Sequence, residues 1–428
     1  MPDAPKSASA ASEPQSCRLC GAGLHHTFCD LGMSPLCESF LPADRLDRME
    51  PYYPLRVMVC ASCYLVQLRE YVAPEHIFDD YAYFSSYSTS WVAHAKAYCD
   101  TMERRFGLGR DSLVVELASN DGYLLQHFLP KGIPVLGIEP AANVAAAATE
   151  KGVPTVVDFF GTNLAAKLAA EGRRADLIAG NNVLAQVPDL NDFVAGMPMI
   201  LAPEGVVTLE FPHLARLIDE RQFDTIYHEH FSYFSLVSVE RLAARHGLRL
   251  IDVEELPTHG GSLRVYLAHE SSSHAVASAV GRVLAAEEAR GFRRIETYTG
   301  FDAEVRAVKR DLLDLLIGLK RQGKRICGYG APGKGNTLLN YCGIGPDFLD
   351  FTVDRNPYKH GRFTPGMHLP IHPPEALDAA RPDYVLILPW NLKAEIMHQL
   401  AHIADWGGKF VVPIPKPEIV APSEVKPA

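Results

Sequence analysis

One stretch, Leu113 to Gly122 (LVVELASNDG), constrains this chain more than any other. Leu113, Val114 and Val115 read as a short buried strand, apolar and largely β-branched. Glu116 closes the strand, and Ala118, Ser119, Asn120, Asp121 and Gly122 form a tight turn of small and polar residues. Tyr123 to Leu129 then starts a helix. Strand, small-residue turn and helix make the entrance to a ligand site in an open α/β sheet, beyond the carboxyl ends of the strands. A dinucleotide fingerprint needs three glycines so that backbone can approach a pyrophosphate. Only Gly122 is present, and the carboxylates of Glu116 and Asp121 would repel a pyrophosphate. They suit a ligand with an amino group and a positive sulfur, S-adenosylmethionine (SAM). A second apolar strand, Val135 to Ile138, ends at Glu139, about 20 residues on, where an acidic side chain holds ribose hydroxyls. The rival reading is a generic α/β turn with solvated acids.

The alternation continues. Asn143 to Lys151 is an alanine-rich helix, Val153 to Val157 a strand, Leu164 to Glu171 a helix and Ala175 to Gly180 a strand. Leu190 to Leu201 is a helix and Gly205 to Phe211 a fifth strand. Five strands with crossovers predict a mostly parallel sheet. Asp158 follows the third strand, where it can face an adenine amine. Asn181 and Asn182 follow the fourth, where ligand groups project. Asp and Asn are also ordinary turn and cap residues.

At 428 residues the chain is too long for one core, so two or three domains are expected. The net charge of −10 argues against nucleic-acid or anionic-membrane partners. No apolar run approaches the roughly 20 residues of a membrane span. The first sixteen residues lack a signal-peptide core and read as a tail, so a cytoplasmic, reducing setting is expected for the nine cysteines. Four of these form two CxxC pairs, Cys17 with Cys20 and Cys60 with Cys63. Two such knuckles in a reducing compartment read as a closed, structural zinc site. Cys29, Cys37, His25 and His26 are spare candidates that a four-thiolate site does not need.

Three further stretches carry chemistry. Asp79 to Trp91 is dense in tyrosine and serine, either a packed connector or a wall of a substrate pocket. Tyr227-His228-Glu229-His230-Phe231-Ser232-Tyr233-Phe234 offers a histidine near neutral pKa as a general base, with Glu229 placed to orient it. Solvated histidines at a helix start are the bland alternative. Thr258 to Ser262 reads as a hairpin turn, or as a place where backbone approaches a ligand. Gly281 to Gln322 is mainly helical and bridges to a last unit. There, strand Arg325 to Tyr329 runs into Gly330-Ala331-Pro332-Gly333-Lys334-Gly335-Asn336 and a helix, a turn suited to phosphate oxygens. After Pro413 the proline-rich chain is expected to fray.

In this order the motifs resemble the sugar C-methyltransferases. The shared parts are the four-cysteine knob, ELASNDG, YHEHFSYFS, GGSLRV and GYGAPGKGN, from Cys17 to about Pro413. The resemblance implies a class I methyltransferase Rossmann-like α/β sheet, an N-terminal zinc-binding domain and a smaller C-terminal Rossmann-like domain. The boundaries implied are 1–16 (tail), 17–75 (zinc), 76–280 (SAM), 281–415 (C-terminal) and 416–428 (tail). It implies methylation at carbon of a nucleotide-linked (dTDP-like) 4-keto-deoxysugar. Cys17, Cys20, Cys60 and Cys63 would hold zinc. Glu116, Ala118, Asn120, Asp121, Gly122, Glu139, Asp158 and Asn181 would line the SAM site. His230 would be the general base, with Tyr227 and Glu229 beside it. Tyr81 or Tyr83, Gln186, Lys334 and Asn336 would meet the nucleotide-sugar substrate. One position departs: Gln186 stands where family members acting on dTDP-sugars carry a second histidine. Glutamine donates a hydrogen bond but takes no proton, which leaves the sugar's identity open. The competing functions are an O-methyltransferase acting on a sugar or polysaccharide precursor, and an NAD-dependent nucleotide-sugar enzyme. The second lacks both GxGxxG and a Tyr-x-x-x-Lys pair.

Overall fold

The computed structural model describes residues 15–72, 85–87 and 89–424. Its first strands, β1 (His26–Ser34), β2 (Tyr53–Val59) and β3 (Val66–Leu68), form an antiparallel meander. The central sheet is built from β4 (Val114–Leu117), β5 (Val135–Ile138), β6 (Thr155–Val156), β7 (Ala175–Asn181) and β8 (Leu201–Pro212). These five are parallel, as expected of βα crossovers. The next strand, β9 (Ser232–Tyr233), leaves this sheet and pairs with β3, so the YHEHFSYFS segment supplies the fourth strand of the N-terminal sheet. The hairpin β10 (Leu248–Leu256) and β11 (Ser262–His269) returns to the central sheet, whose order is β10-β11-β8-β7-β4-β5-β6. Strand β11 is antiparallel to both neighbours. A five-stranded parallel run closed by such an inserted hairpin is the class I methyltransferase arrangement.

The last sheet contains β12 (Ile326–Tyr329), β13 (Thr352–Val353), β14 (Ile371–His372), β15 (Tyr384–Ile387), β16 (Lys409–Val412) and β17 (Glu418–Val420), in the order β14-β13-β12-β15-β16-β17. All pairs but β16–β17 are parallel. The stretch expected to fray therefore includes a strand, because Glu418–Val420 covers the otherwise open edge of β16.

The central sheet buries both faces, and alternate residues of its strands go to different cores. Val114, Leu177, Val206 and Tyr266 pack on one side with Tyr98, Met102 and Phe128. Val115, Ile178, Val207 and Leu267 pack on the other with Phe193, Met197 and the cysteine knuckles. A third core runs from Phe28, Val57 and Leu68 of the N-terminal sheet through Phe301 and Leu312 to Ile326 and Val385. Phe301 belongs to the long helix Phe301–Arg321 and stacks on Phe28 at 4.6 Å. The N-terminal sheet is thus wedged between the other two units and shares a core with each. Among the described residues no helix is long and apolar enough to cross a membrane.

Two sequence expectations shift here. Glu116 lies within β4 rather than at its end. The segment after Gly122 is two 3-10 turns, Leu125–His127 and Leu129–Lys131, not a helix. Pro130 lacks the amide an α-helix would use there, and Gly132 stops the run at φ 69°.

Candidate active site at the meeting of three sheets

The two cysteine knuckles are built alike. Gly21 N–H donates to the Cys17 carbonyl at 2.8 Å, and Tyr64 N–H to that of Cys60 at 2.9 Å. Both closing residues are left-handed, Gly21 at φ 78° and Tyr64 at φ 61°. Tyr64 is held there by stacking on Tyr298. The four sulfurs lie within 4.8 Å of one another, with Cys17···Cys63 at 3.4 Å and Cys20···Cys60 at 3.5 Å. A tetrahedral zinc with Zn–S of about 2.3 Å needs sulfurs roughly 3.8 Å apart, so the donor set fits. Gln67 Nε2 donates to Cys17 Sγ at 3.1 Å, an outer hydrogen bond of the kind that steadies a thiolate ligand.

At the carboxyl end of β4 the backbone doubles back on itself. Ala118, Asn120 and Gly122 all have positive φ, at 55°, 49° and 74°. Gly122 has no alternative, since a Cβ there would lie 3.0 Å from Val153 Cγ2. Asn120 N–H and Ala141 N–H donate to the two oxygens of Glu139, each at 2.9 Å, which fixes that carboxylate just past β5. Glu116 is buried, and desolvation followed by the charge of Glu139 pushes its pKa well up. Its Oε2, one oxygen of Asp121 and both amide atoms of Asn181 are buried without a hydrogen-bond partner. Unsatisfied polar atoms at the ends of β4 and β7, the oxygens among them acceptors, fit a ligand bearing an ammonium and a sulfonium. Asp121 also pairs with Lys151 at 2.8 Å, so part of its role is to brace the turn. Asp158 is exposed just past β6, beside the exposed Phe159.

His230 lies in the loop before β9. Its Nδ1 lies 2.9 Å from the Thr225 carbonyl, so Nδ1 carries the proton and Nε2 keeps a lone pair. Tyr227 packs on the ring with centroids 4.0 Å apart. Burial lowers the His230 pKa to about 4, assisted by the charges of His259 and Lys334. Glu229 does not orient His230, as the sequence led one to expect. The loop curls so that His230 N–H meets the Tyr227 carbonyl at 2.9 Å, and the Glu229 carboxylate instead accepts from the Cys37 thiol. Burial and then Glu38 raise the Glu229 pKa to about 8. Gln186 ends the 3-10 turn Leu184–Gln186, and its neighbour Ala185 accepts from Phe231 N–H at 2.7 Å, which ties the post-β7 loop to the histidine loop. Tyr81 and Tyr83 fall outside the described residues.

The third unit contributes Lys334, near the start of the helix Gly333–Cys342. Burial lowers its pKa, and Asp224 partly offsets this. Its ammonium lies over the Trp390 ring at 5.0 Å and 3.0 Å from Asn391 Oδ1. The glycine-rich turn itself is not free to cradle phosphate. Ala331 N–H donates to Asp354 at 2.7 Å, and the Gly333 amide donates to Glu38 of the N-terminal unit. Asn336 is likewise committed, donating to the Cys37 carbonyl at 2.6 Å. Electropositive contact from this turn therefore rests on Lys334.

Three stretches of the chain match known protein families. Residues 17–78 match a zinc-binding domain family, 91–253 a methyltransferase domain, and 257–415 the C-methyltransferase C-terminal domain. The C-methyltransferase NovU of Streptomyces niveus is 37% identical over 408 residues, covering 95% of this chain and 96% of NovU. The chain belongs to this C-methyltransferase family. Among solved structures, a SAM-dependent methyltransferase from Thermotoga maritima aligns at 16% identity and TM-score 0.34, covering 45% of this chain and 98% of its own. The 1,6-didemethyltoxoflavin-N1-methyltransferase of Burkholderia thailandensis aligns at 15% and 0.34, covering 48% and 94%. This C-methyltransferase uses SAM, and its four clustered cysteines form a structural zinc site.

Three residues near these loops were given no role of their own by the sequence reading. Asp224 is fully buried and accepts from Trp390 Nε1 at 2.6 Å. Glu210, at the end of β8, gathers His94, Arg264 and Thr258. His259 sits in the hairpin turn and bonds Asn182. None belongs to a local motif. A charged or imidazole side chain flanked by strand-end glycines was the only available signal, and it marked His259 alone.

Proposed function

We propose that this C-methyltransferase methylates a carbon next to the C4 ketone of a nucleotide-activated deoxysugar, with His230 as general base. The observation that carries the reading is the His230–Thr225 hydrogen bond, which leaves Nε2 as the basic atom, in a loop that Phe231 N–H ties to the one after β7. A C4 ketone acidifies the protons on its flanking carbons, C3 in the first instance. SAM, held by the Glu116–Gly122 turn and Glu139, supplies an electrophilic methyl group. Nε2 of His230 removes the proton, and Tyr227 keeps the imidazole plane aimed at it. Holding carbon, methyl and sulfur in line, with the base at the carbon's proton, is the remainder of the protein's contribution. Lys334, beside Trp390 and Asn391, is the cation that would meet the diphosphate, and Gln186, next to the histidine loop, would meet the sugar. The reduced thiolates of the zinc site suit a cytoplasmic reaction.

The test is incubation with methyl-labelled SAM and dTDP-4-keto-6-deoxyhexoses, with NMR locating the label. Label on a carbon flanking the ketone is expected. His230→Ala should lower turnover by roughly 10²–10⁴-fold while S-adenosylhomocysteine still binds. Label on oxygen, or unchanged turnover in the variant, overturns the reading.

A further inference from the structure

A second imidazole sits at the same sheet end. His259 lies in the turn between β10 and β11 with φ 55°, ψ 18°, a left-handed conformation that a residue other than glycine adopts at a cost. The turn is pinned on every side. Thr258 Oγ1 donates to Glu210 at 2.9 Å, Gly261 N–H to the Thr258 carbonyl at 2.8 Å, and Gln222 Nε2 to the Gly260 carbonyl at 2.7 Å. A Cβ on Gly260 would lie 3.0 Å from the Trp390 ring, so the third unit clamps the turn as well. Backbone strain held this firmly is characteristic of functional positions.

The ring is as constrained as the backbone. His259 Nε2 lies 2.9 Å from Asn182 Nδ2, and Asn182 is itself left-handed at φ 55° just past β7. The amide donates, so Nε2 accepts and the proton is on Nδ1. Trp91 meets the ring edge-on at 5.2 Å and stacks on His94, which bonds Glu210. Burial, then Lys334, lowers the His259 pKa to about 4, so the ring is neutral at pH 7. Gln222 ties the two rings together, since it accepts from Thr225, whose carbonyl holds His230, and donates to the Gly260 carbonyl beside His259, which puts the two imidazoles in one site. His230 presents a lone pair and His259 an N–H. A proton abstraction next to a carbonyl needs this pair, a base for the carbon and a donor for the oxygen.

We propose that His259 is a second catalytic side chain, donating Nδ1–H to the ketone oxygen as that oxygen becomes anionic. This rests on the reading of His230 as the base. When Nε2 of His230 takes the proton, the C–H electron pair forms the C=C bond and the carbonyl π pair moves onto oxygen, where His259 meets it. The pair returns to re-form the ketone as the carbon takes the methyl group supplied by SAM, which leaves as S-adenosylhomocysteine. The proton on His230 passes to solvent. Being neutral, His259 keeps its own proton throughout. It thus fills the donor role without the second titrating histidine whose place Gln186 occupies.

The test separates enolisation from methyl transfer. Full-length enzyme is mixed in D₂O with S-adenosylhomocysteine and a dTDP-4-keto-6-deoxyhexose, and loss of the proton flanking the ketone is followed by NMR against an enzyme-free control. His259→Gly removes the ring and suits the left-handed backbone. His259→Asn also tolerates that backbone and retains an N–H near the Nδ1 position. Exchange is expected to fall roughly 10²–10³-fold in His259→Gly and to recover at least roughly tenfold in His259→Asn, with S-adenosylhomocysteine affinity by calorimetry unchanged in both. Exchange in His259→Gly within threefold of wild type, or equal loss in both variants, overturns the proposal while leaving His230 as base. Wild-type exchange that survives His230→Ala, or no wild-type exchange at all, brings down the underlying reading and this proposal with it.

Discussion

Replacing Arg264 by Met should destabilise the central sheet more than any surface change, and the cost can be worked out. Arg264 Nη2 lies 2.6 Å from Glu210 Oε2, and His94 Nε2 lies 3.1 Å from the same oxygen. The Glu210 side chain is fully buried and that of Arg264 is 6% exposed. Burial alone would raise the Glu210 pKa, yet His94 and Arg264 outweigh it and bring it from 4.5 to about 2. That difference corresponds to about 3 kcal/mol. The sign follows from linkage. A carboxylate whose pKa is depressed on folding contributes stability above its unfolded pKa, and this is lost as pH falls from 4.5 towards 2. Arg264→Met keeps the packing of the aliphatic stem but leaves a buried carboxylate without its main cation. The expected penalty is about 3–5 kcal/mol at pH 7.5, or roughly 6–20 °C in the melting of a domain this size. Adding Glu210→Gln removes the stranded charge while keeping an acceptor for Thr258, so the double variant should regain most of the loss. Thermal melts by circular dichroism at pH 7.5 and pH 5 measure both variants, and the single variant's deficit should shrink at the lower pH. A double variant no more stable than the single one, or a single variant within about 1 kcal/mol of wild type, would refute the reasoning.

Two further outcomes follow from the site. Stripping zinc with a chelator should cut turnover by roughly 10²-fold or more while S-adenosylhomocysteine still binds, because the ion anchors the sheet that carries His230, the proposed base. Metal content by mass spectrometry and calorimetry on the same sample check this, and full activity in zinc-free protein contradicts it. Lys334→Met should move the acid limb of kcat/KM upward, because Lys334 helps hold both His230 and His259 below the ordinary imidazole pKa of 6.5. Wild-type kcat/KM should accordingly hold up well below pH 6.5, and a pH–rate series on both proteins decides the matter.

The sequence was most legible where chemistry is local. Two CxxC pairs announce a metal site because ligand spacing is set by the knuckle turn, and Cys17, Cys20, Cys60 and Cys63 do converge. The alternation from Val114 onwards announces a parallel sheet because strands buried on both faces must be apolar. Reading failed where a partner comes from far along the chain. Nothing around Gly333 says that Glu38, almost 300 residues earlier, takes its amide, so the turn looked free for phosphate. Nothing around Glu229 says that Cys37 turns it away from His230. His259 was visible only as a hairpin residue, because its meaning depends on Asn182 and Trp91 on other elements.

The path by which the histidine loop is placed explains why the zinc knob belongs to a methyltransferase at all. Cys17 is bonded by Gln67, Gln67 pairs with Ser232 in β9, and Leu68 N–H donates to the Phe231 carbonyl at 2.9 Å. His230 therefore hangs one residue from a strand that the metal site fixes. On the other side Thr337 Oγ1 donates to the Ile226 carbonyl, and Trp390 holds Asp224, so the third unit grips the same loop. An imidazole held this way is buried, and burial lowers its basicity, since desolvation is the largest cause of its low pKa. A neighbouring ammonium, Lys334, weakens it further. A dianionic diphosphate beside Lys334 would cancel that field and restore basicity only once substrate has arrived. On this reading the three sheets do more than assemble a pocket. They keep the imidazole neutral but feeble in the empty enzyme, and let the charge of the sugar nucleotide complete the base.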